Sequence, residues 1–197
     1  MTASSMNAVR KTLKMARGLS CDEKKEVIAE LLDSIDPTQP KGTVLCDAIM
    51  RIWSTAAFEA VAIRDGATVP EIYLSRRAPE NTAYPNEWHV PGSLYRHGER
   101  DRDVADRLEQ EFGASIAFRY VDRFTTDEQR GTIHSLVFLV ELIGEPRMDD
   151  RHGWFPVNNL PAPMVGSHRD VLIPRACHFY WHQRSLEHKS GIRRSKR

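Results

Sequence analysis

Trp88-His89-Val90-Pro91-Gly92-Ser93, then Gly98-Glu99, then Val104, Leu108 and Phe112 ahead of Gly113: the fold of this chain turns on how that stretch is read. Val90 closes an extended run and Pro91-Gly92 breaks it. Val104, Leu108 and Phe112 lie four apart, which is one apolar stripe of a helix, and Gly113 is the residue expected just past its end. Glu99 stands before the helix, and Asp103, Asp106, Glu109 and Glu111 crowd its other faces. A strand, a tight loop and an acidic helix in that order suit a divalent cation that carries phosphate.

Working outward toward the N-terminus, Pro70 to Ser75 reads as a strand with Ile72 and Leu74 on one side, and Arg76 and Arg77 stand at its end. Asp65-Gly66 is a turn. Ala56 to Ile63 is apolar apart from Glu59, which predicts a strand buried on both faces. Val44 to Trp53 fits neither period cleanly. Toward the C-terminus, Tyr120 to Phe124 and Thr132 to Ile143 read as strands, the second apolar enough to be central, with Asp127 and Glu128 in the loop between them. Trp154 to Val157 is a further strand, followed by Leu160-Pro161. Ser167 with Asp170 suggests a capping box opening a last helix that Pro174 must kink or restart. Cys177, His178 and His182 have metal-ligand spacing. No second ligand pair accompanies them, and Phe179, Tyr180 and Trp181 point to a packed aromatic helix instead.

At the start, Met6, Val9, Leu13 and Ala16 repeat at helical spacing. A second helix opens on the capping pair Ser20 and Glu23, carries Val27, Ile28, Leu31, Leu32 and Ile35, and stops at Asp36-Pro37. This helical hairpin packs either on the main domain or on a second copy, so a homodimer is one of the expected arrangements. Three parts follow: a hairpin over 1–40, a main domain over 41–188, and a basic tail over 189–197. The 197 residues are 41% hydrophobic, enough for a packed core, and the formal net charge of +1 argues against a general nucleic-acid surface. Three scattered cysteines, no apolar run long enough for a bilayer and no leader-like segment predict a cytoplasmic protein without a disulfide framework. The chain contains no P-loop, no G-x-G-x-x-G and no G-x-S-x-G.

The stretch quoted first resembles the box of the Nudix hydrolases, G-x5-E-x7-R-E-U-x-E-E-x-G-U, where U is a bulky apolar residue. Pro91-Gly92-Ser93 and Gly98-Glu99 resemble its front, with Ser93 in place of a glycine. Leu108, Glu111 and Gly113 occupy the places of U, the last glutamate and the glycine at its back. The halves are one residue out of register. Extending the front register would put Glu109 at the apolar place and turn the Val104, Leu108, Phe112 stripe away from the core, so the back register governs the helix and the missing residue falls between Arg100 and Ala105. Asp106 and Arg107 then replace the R-E pair, and Gln110 replaces the first glutamate of E-E. Arg107 puts a cation that cannot serve as a ligand where a carboxylate is expected, one turn from Glu111 as a partner.

The resemblance implies an α/β fold: a Nudix-type α/β/α sandwich with a mixed β-sheet, plus the N-terminal hairpin. It implies a hydrolase of a diphosphate linkage in a nucleoside diphosphate derivative or similar small molecule, dependent on Mg2+ or Mn2+. Glu111 and Glu99 would be the metal ligands. Asp103, Asp106, Asp127 and Glu128 are the carboxylates from which the missing ones would be drawn, Glu128 being the catalytic candidate beyond the box. Arg76, Arg77 and Arg107 would bind the substrate phosphates. The competing reading, favoured by the lost glutamates, is a Nudix-fold binding or regulatory module that recognises a nucleotide-like ligand or a protein partner.

Overall fold

The computed structural model describes residues 3–36, 43–128 and 131–190. The chain divides into two compact units, Met1–Gln39 and Pro40–Arg197. The linker expected over Pro37 to Gly42, and Arg193, Arg194, Lys196 and Arg197 of the expected tail, lie outside the described residues.

The first unit holds α1 (Ala3–Arg17) and α2 (Cys21–Asp33), joined by a turn at Gly18. The capping box at Ser20 forms as its sequence predicts: the Glu23 N–H donates to Ser20 Oγ at 3.3 Å, and the Ser20 N–H donates to the Glu23 carboxylate at 2.7 Å. No residue of α2 is buried.

In the second unit α3 (Thr43–Met50) precedes β1 (Thr55–Arg64), β2 (Glu71–Arg76), β3 (Trp88–His89) and β4 (Gly92–Leu94). Then come α4 (Asp101–Phe112), β5 (Ser115–Glu128), β6 (Gly131–Ile143), β7 (His152–Pro156) and α5 (Ile173–Ser190). The strands form one mixed sheet in the order β3-β2-β1-β6-β5, with β4 paired to β1 and β7 to β2. β1 and β6 run parallel, from Thr55 beside Ile133 to Ala62 beside Val140, and the other pairings are antiparallel. The ambiguous stretch after Val44 becomes α3, with Met50 buried at its end. Asp127 and Glu128, expected in a loop, are the last residues of β5, which pairs with β6 out to the Glu128–Gly131 register.

Each face of the sheet is covered by a helix. Val104, Ala105, Leu108 and Phe112 of α4 are buried against Phe58, Tyr73 and Phe138, and the Phe58 and Phe138 rings stack at 3.8 Å. The back register of the box is therefore the one the structure adopts. Gly113 ends α4 at φ 68°, a left-handed position that suits glycine. On the opposite face Leu172, Ile173 and Ala176 pack on Val61, Ile72, Leu74 and Val137. The final helix starts differently from its sequence reading. Ser167 makes no side-chain cap; a wide π-type turn over His168–Leu172 leads into α5, with Pro174 as the second residue of that helix.

Candidate functional site

Gly92 and Ser93 are the hinge of the site. β4 lies directly on β1, with Gly92 opposite Glu59, and a Cβ added at Gly92 would come within 2.5 Å of Glu59 Oε2 and 2.9 Å of the Phe58 carbonyl. Only glycine allows this approach. Beneath the loop, Glu59 is nearly fully buried and accepts a 3.2 Å hydrogen bond from Ser135 of the neighbouring β6.

On the helix side of the loop stands Arg107. Its Nε and one terminal nitrogen donate to both oxygens of Glu99 at 2.9 and 2.8 Å, the other terminal nitrogen donates to Ser93 Oγ at 2.6 Å, and a further bond reaches the Leu94 carbonyl at 3.1 Å. Four of the five guanidinium donors thus hold the loop from Ser93 to Glu99. Burial alone would raise the Glu99 carboxyl, but the bonds from Arg107 and from the Arg96 N–H outweigh it and hold the group below its usual range. The ion pair that the helix spacing suggested, Arg107 with Glu111, is replaced by one with Glu99, eight residues back, because the loop folds over the first turns of α4.

Glu111 points to β2 instead. Ser75 donates to its carboxylate at 2.8 Å; burial pushes the Glu111 carboxyl up, against the opposing pull of that bond and of the charges on Arg77 and Arg147. Gln110 is exposed. The other box carboxylates serve the helix itself: Asp103 accepts from the Arg100 N–H at 2.8 Å, and Asp106 pairs with Arg102.

On the α5 side of the sheet the loop residues Gly92, Ser93 and Leu94 border a cavity that also takes in Glu59, Arg77, Tyr84, His89, Glu128 and His168. Arg77 and Glu128 are thereby brought to one place. Arg76 is not among the lining residues; its Nε donates to the Asn86 carbonyl at 2.8 Å. Glu128 accepts hydrogen bonds from the Tyr84 hydroxyl and from Thr126, and Ser167 adds a third, so that the carboxyl lies below its usual range although burial pulls it upward. Tyr84 reaches it from a left-handed backbone at φ 54°, a conformation that costs a bulky residue about 1–3 kcal/mol and marks a position held by its surroundings. Asp127 faces elsewhere and accepts from Thr132.

Two histidines close the cavity. The Val90 N–H donates to His168 Nδ1 at 3.0 Å, and His89 Nδ1 lies 2.8 Å from the Val90 carbonyl. Burial lowers both, His168 to about 4, and the neighbouring His168 ring and Arg77 depress His89 further. Both are neutral at pH 7, ready to accept or donate single hydrogen bonds without charge. Sequence reasoning named none of Tyr84, Ser135 and His168, and gave no role to His89 within the stretch it quoted. It did register Glu59 as the acidic exception in a strand buried on both faces, which was the available signal.

A divalent metal does not fit these residues as they stand. Glu99 is already neutralised by a guanidinium, Arg107 and Gln110 stand where the box has glutamates, and among the described residues no three His, Cys, Asp or Glu side chains are grouped to hold an ion. The Cys177, His178 and His182 spacing likewise assembles no such group among the described residues. Among these residues no helix is long and apolar enough to cross a membrane.

No family model and no curated protein matches the chain. Solved structures do. A MutT Nudix hydrolase from Burkholderia pseudomallei is 26% identical, with a TM-score of 0.50 over 62% of this chain and 98% of that one. A MutT/Nudix family protein from Listeria innocua is 21% identical, with a TM-score of 0.50 over 67% of this chain and 97% of that one. The Nudix domain of Shewanella oneidensis NrtR, complexed with ADP ribose, is 15% identical, with a TM-score of 0.50 over 77% of this chain and 97% of that one. Likeness at this level speaks to architecture, and the architecture of this chain is the Nudix fold.

Proposed function

We propose that this chain uses the Nudix fold to bind a nucleotide-like diphosphate ligand without depending on a metal. The observation that carries this reading is the Arg107 clamp. Where the box resemblance implies carboxylates around a cation, the protein supplies its own fixed cation, tied to Glu99 and Ser93. The cavity behind the loop offers what such a ligand needs. Arg77 is a guanidinium for phosphate, while Glu128 and Glu59 are acceptors for ribose or base N–H and O–H groups. Neutral His89 and His168 fix orientation. The strained Tyr84 holds Glu128 in place. ADP ribose, the ligand of the Shewanella NrtR domain, is the natural first probe.

The hydrolase reading rests on a different observation. Glu111 keeps its box position, and the Burkholderia relative is described as a hydrolase. In that reading Mg2+ or Mn2+ is required, and Glu99 must leave Arg107 to take part.

Calorimetry with ADP ribose and ADP, run with EDTA and again with Mg2+ or Mn2+, separates the two. Saturable binding in EDTA that is lost in Arg77→Ala, with no product formed in the metal-containing samples, is the expected result. Turnover that appears only with metal establishes the hydrolase instead, and no binding under any condition removes the diphosphate ligand from both readings.

A further inference from the structure

Among the described residues of the two-helix first unit, none is buried. In α2 every residue but Leu32 is exposed, and Leu31 stands 58% open with Val27, Ile28 and Ile35 beside it. In α1 Leu13 is 57% open. Yet both helices carry the pattern of a helix-bundle seam: Met6, Val9, Leu13 and Ala16 step by three and four residues, and Ile28, Leu31 and Ile35 do the same. Helices of this length are marginal in water unless such a face is covered, and a unit of fewer than about 40 residues ordinarily gains its stability by association.

Charge identifies the covering partner. α1 is wholly basic, with Arg10, Lys14 and Arg17 in one row beside its apolar stripe and no acidic residue. α2 is acidic on balance: Asp22, Glu23, Glu26, Glu30 and Asp33 outnumber Lys24 and Lys25, and Glu23 and Glu30 run beside its stripe. Lys25 pairs with Asp22 within α2. A surface with one basic and one acidic stripe is complementary to itself under two-fold rotation, which sets α1 of one copy on α2 of the other and repeats that contact symmetrically. We propose that the first unit is a dimerisation element, and that its exposed apolar faces are covered by the same unit of a second copy of this chain in a four-helix bundle.

Light scattering on the full chain reads this directly. The expected mass at micromolar concentration is twice the 22.5 kDa of one chain. Ile28→Lys with Leu31→Lys should halve it. Both positions are exposed and lysine is a good helix former, so the helix itself is not compromised. The tryptophan-fluorescence melt should not move, because Trp53, Trp88, Trp154 and Trp181 all belong to the second unit. A second pair of variants tests the charge pattern: Arg10→Glu with Arg17→Glu in one chain, and Glu23→Gln, which keeps the capping box, with Glu30→Lys in another. Each alone should be monomeric, and their mixture should return to the dimer mass, since only contacts between copies are restored by mixing. A single-chain mass for the wild type at every concentration overturns the proposal. So does a dimer that neither set of variants disturbs, which would place the interface elsewhere.

Discussion

Replacing Arg107 by alanine removes the four hydrogen bonds that hold the loop from Ser93 to Glu99 and leaves the Glu99 carboxylate without its counter-charge. The Arg107 side chain is 25% and that of Glu99 15% exposed, so the pair is mostly shielded from water but not sealed off. A fully buried pair broken on one side costs about 3–5 kcal/mol, and an exposed pair under about 1 kcal/mol. Partial burial with bidentate geometry places Arg107→Ala at about 2–4 kcal/mol. For a domain of this size each kcal/mol corresponds to about 2–4 °C, so the second-unit melt, followed by tryptophan fluorescence, should fall by roughly 4–16 °C. Adding Mg2+ or Mn2+ supplies the second half of the assay. With its guanidinium gone, Glu99 is available to a cation, and millimolar metal should raise the melting temperature of the variant while leaving the wild type unmoved. Arg107→Glu with Gln110→Glu should show the larger metal response, because it puts a carboxylate directly beside Glu99 and a second one a turn along the same helix. A melt that stays within about 1 °C of wild type would show that the clamp does not hold the loop. A wild-type protein stabilised by metal as strongly as the variant would show that Arg107 does not stand in the metal's place.

Leu108→Ala should destabilise the second unit by about 2–5 kcal/mol in urea unfolding, since Leu108 is buried under the sheet; a surface-like loss would contradict the packing of α4. Glu111→Gln should stabilise the protein at neutral pH. Burial raises the folded Glu111 carboxyl, so the native state holds that proton more tightly than the unfolded chain and loses the advantage as pH rises; glutamine keeps the acceptor for Ser75 without the charge. The gap between variant and wild type, read from melts across pH, should close below about pH 4.5, and a gap independent of pH would refute the assignment. His168 gives the opposite slope. Its folded value of about 4 lies below the unfolded value, so the unfolded chain takes up a proton first and stability falls as pH drops from about 6.5 to about 4, by at most about 3 kcal/mol. His168→Asn, which retains an acceptor for the Val90 N–H, should flatten that part of the profile; an unchanged profile means that His168 is already open to water.

Elements whose burial is periodic were legible from the residues alone. Val104, Leu108 and Phe112 declared both the helix and the face it presents, and that resolved the box register before any coordinates. The apolar run around Glu59 declared a strand with two covered faces. β5 was harder. Its alternation is broken by the bulge between Tyr120 and Asp122, and pairing with β6 extends it from Ser115 to Glu128, well beyond the Tyr120 to Phe124 core that its composition shows. Ser167 and Asp170 had the spacing of a cap, but the Ser167 hydroxyl is drawn to Glu128, so a tertiary partner displaced a local one. The cavity was the least legible part. Tyr84, His89, Glu128, Ser135 and His168 come from separate segments, gathered by the β5–β6 and β2–β3 pairings and by the bonds from Val90 to His168 and from Tyr84 to Glu128. Arg107 was recognised as the box residue most out of place; that its partner is Glu99 depended on a loop path that residue spacing does not encode.

The parallel pairing of β1 with β6 has a consequence for how the protein is made. Glu59 and Ser135, which meet beneath Gly92, are 76 positions apart. At a synthesis rate of about 5–20 residues per second, the ribosome finishes β6 roughly 4–15 s after β1. For that interval a strand meant to be sheathed on both sides has β2 and β4 as neighbours but not β6, the strand that completes its central place. The cavity lined by Glu59, Ser135 and His168 is therefore complete only after His168 has been made, and until β6 arrives the edge of β1 at Phe58 and Val61 stands open to pairing with other unfinished chains.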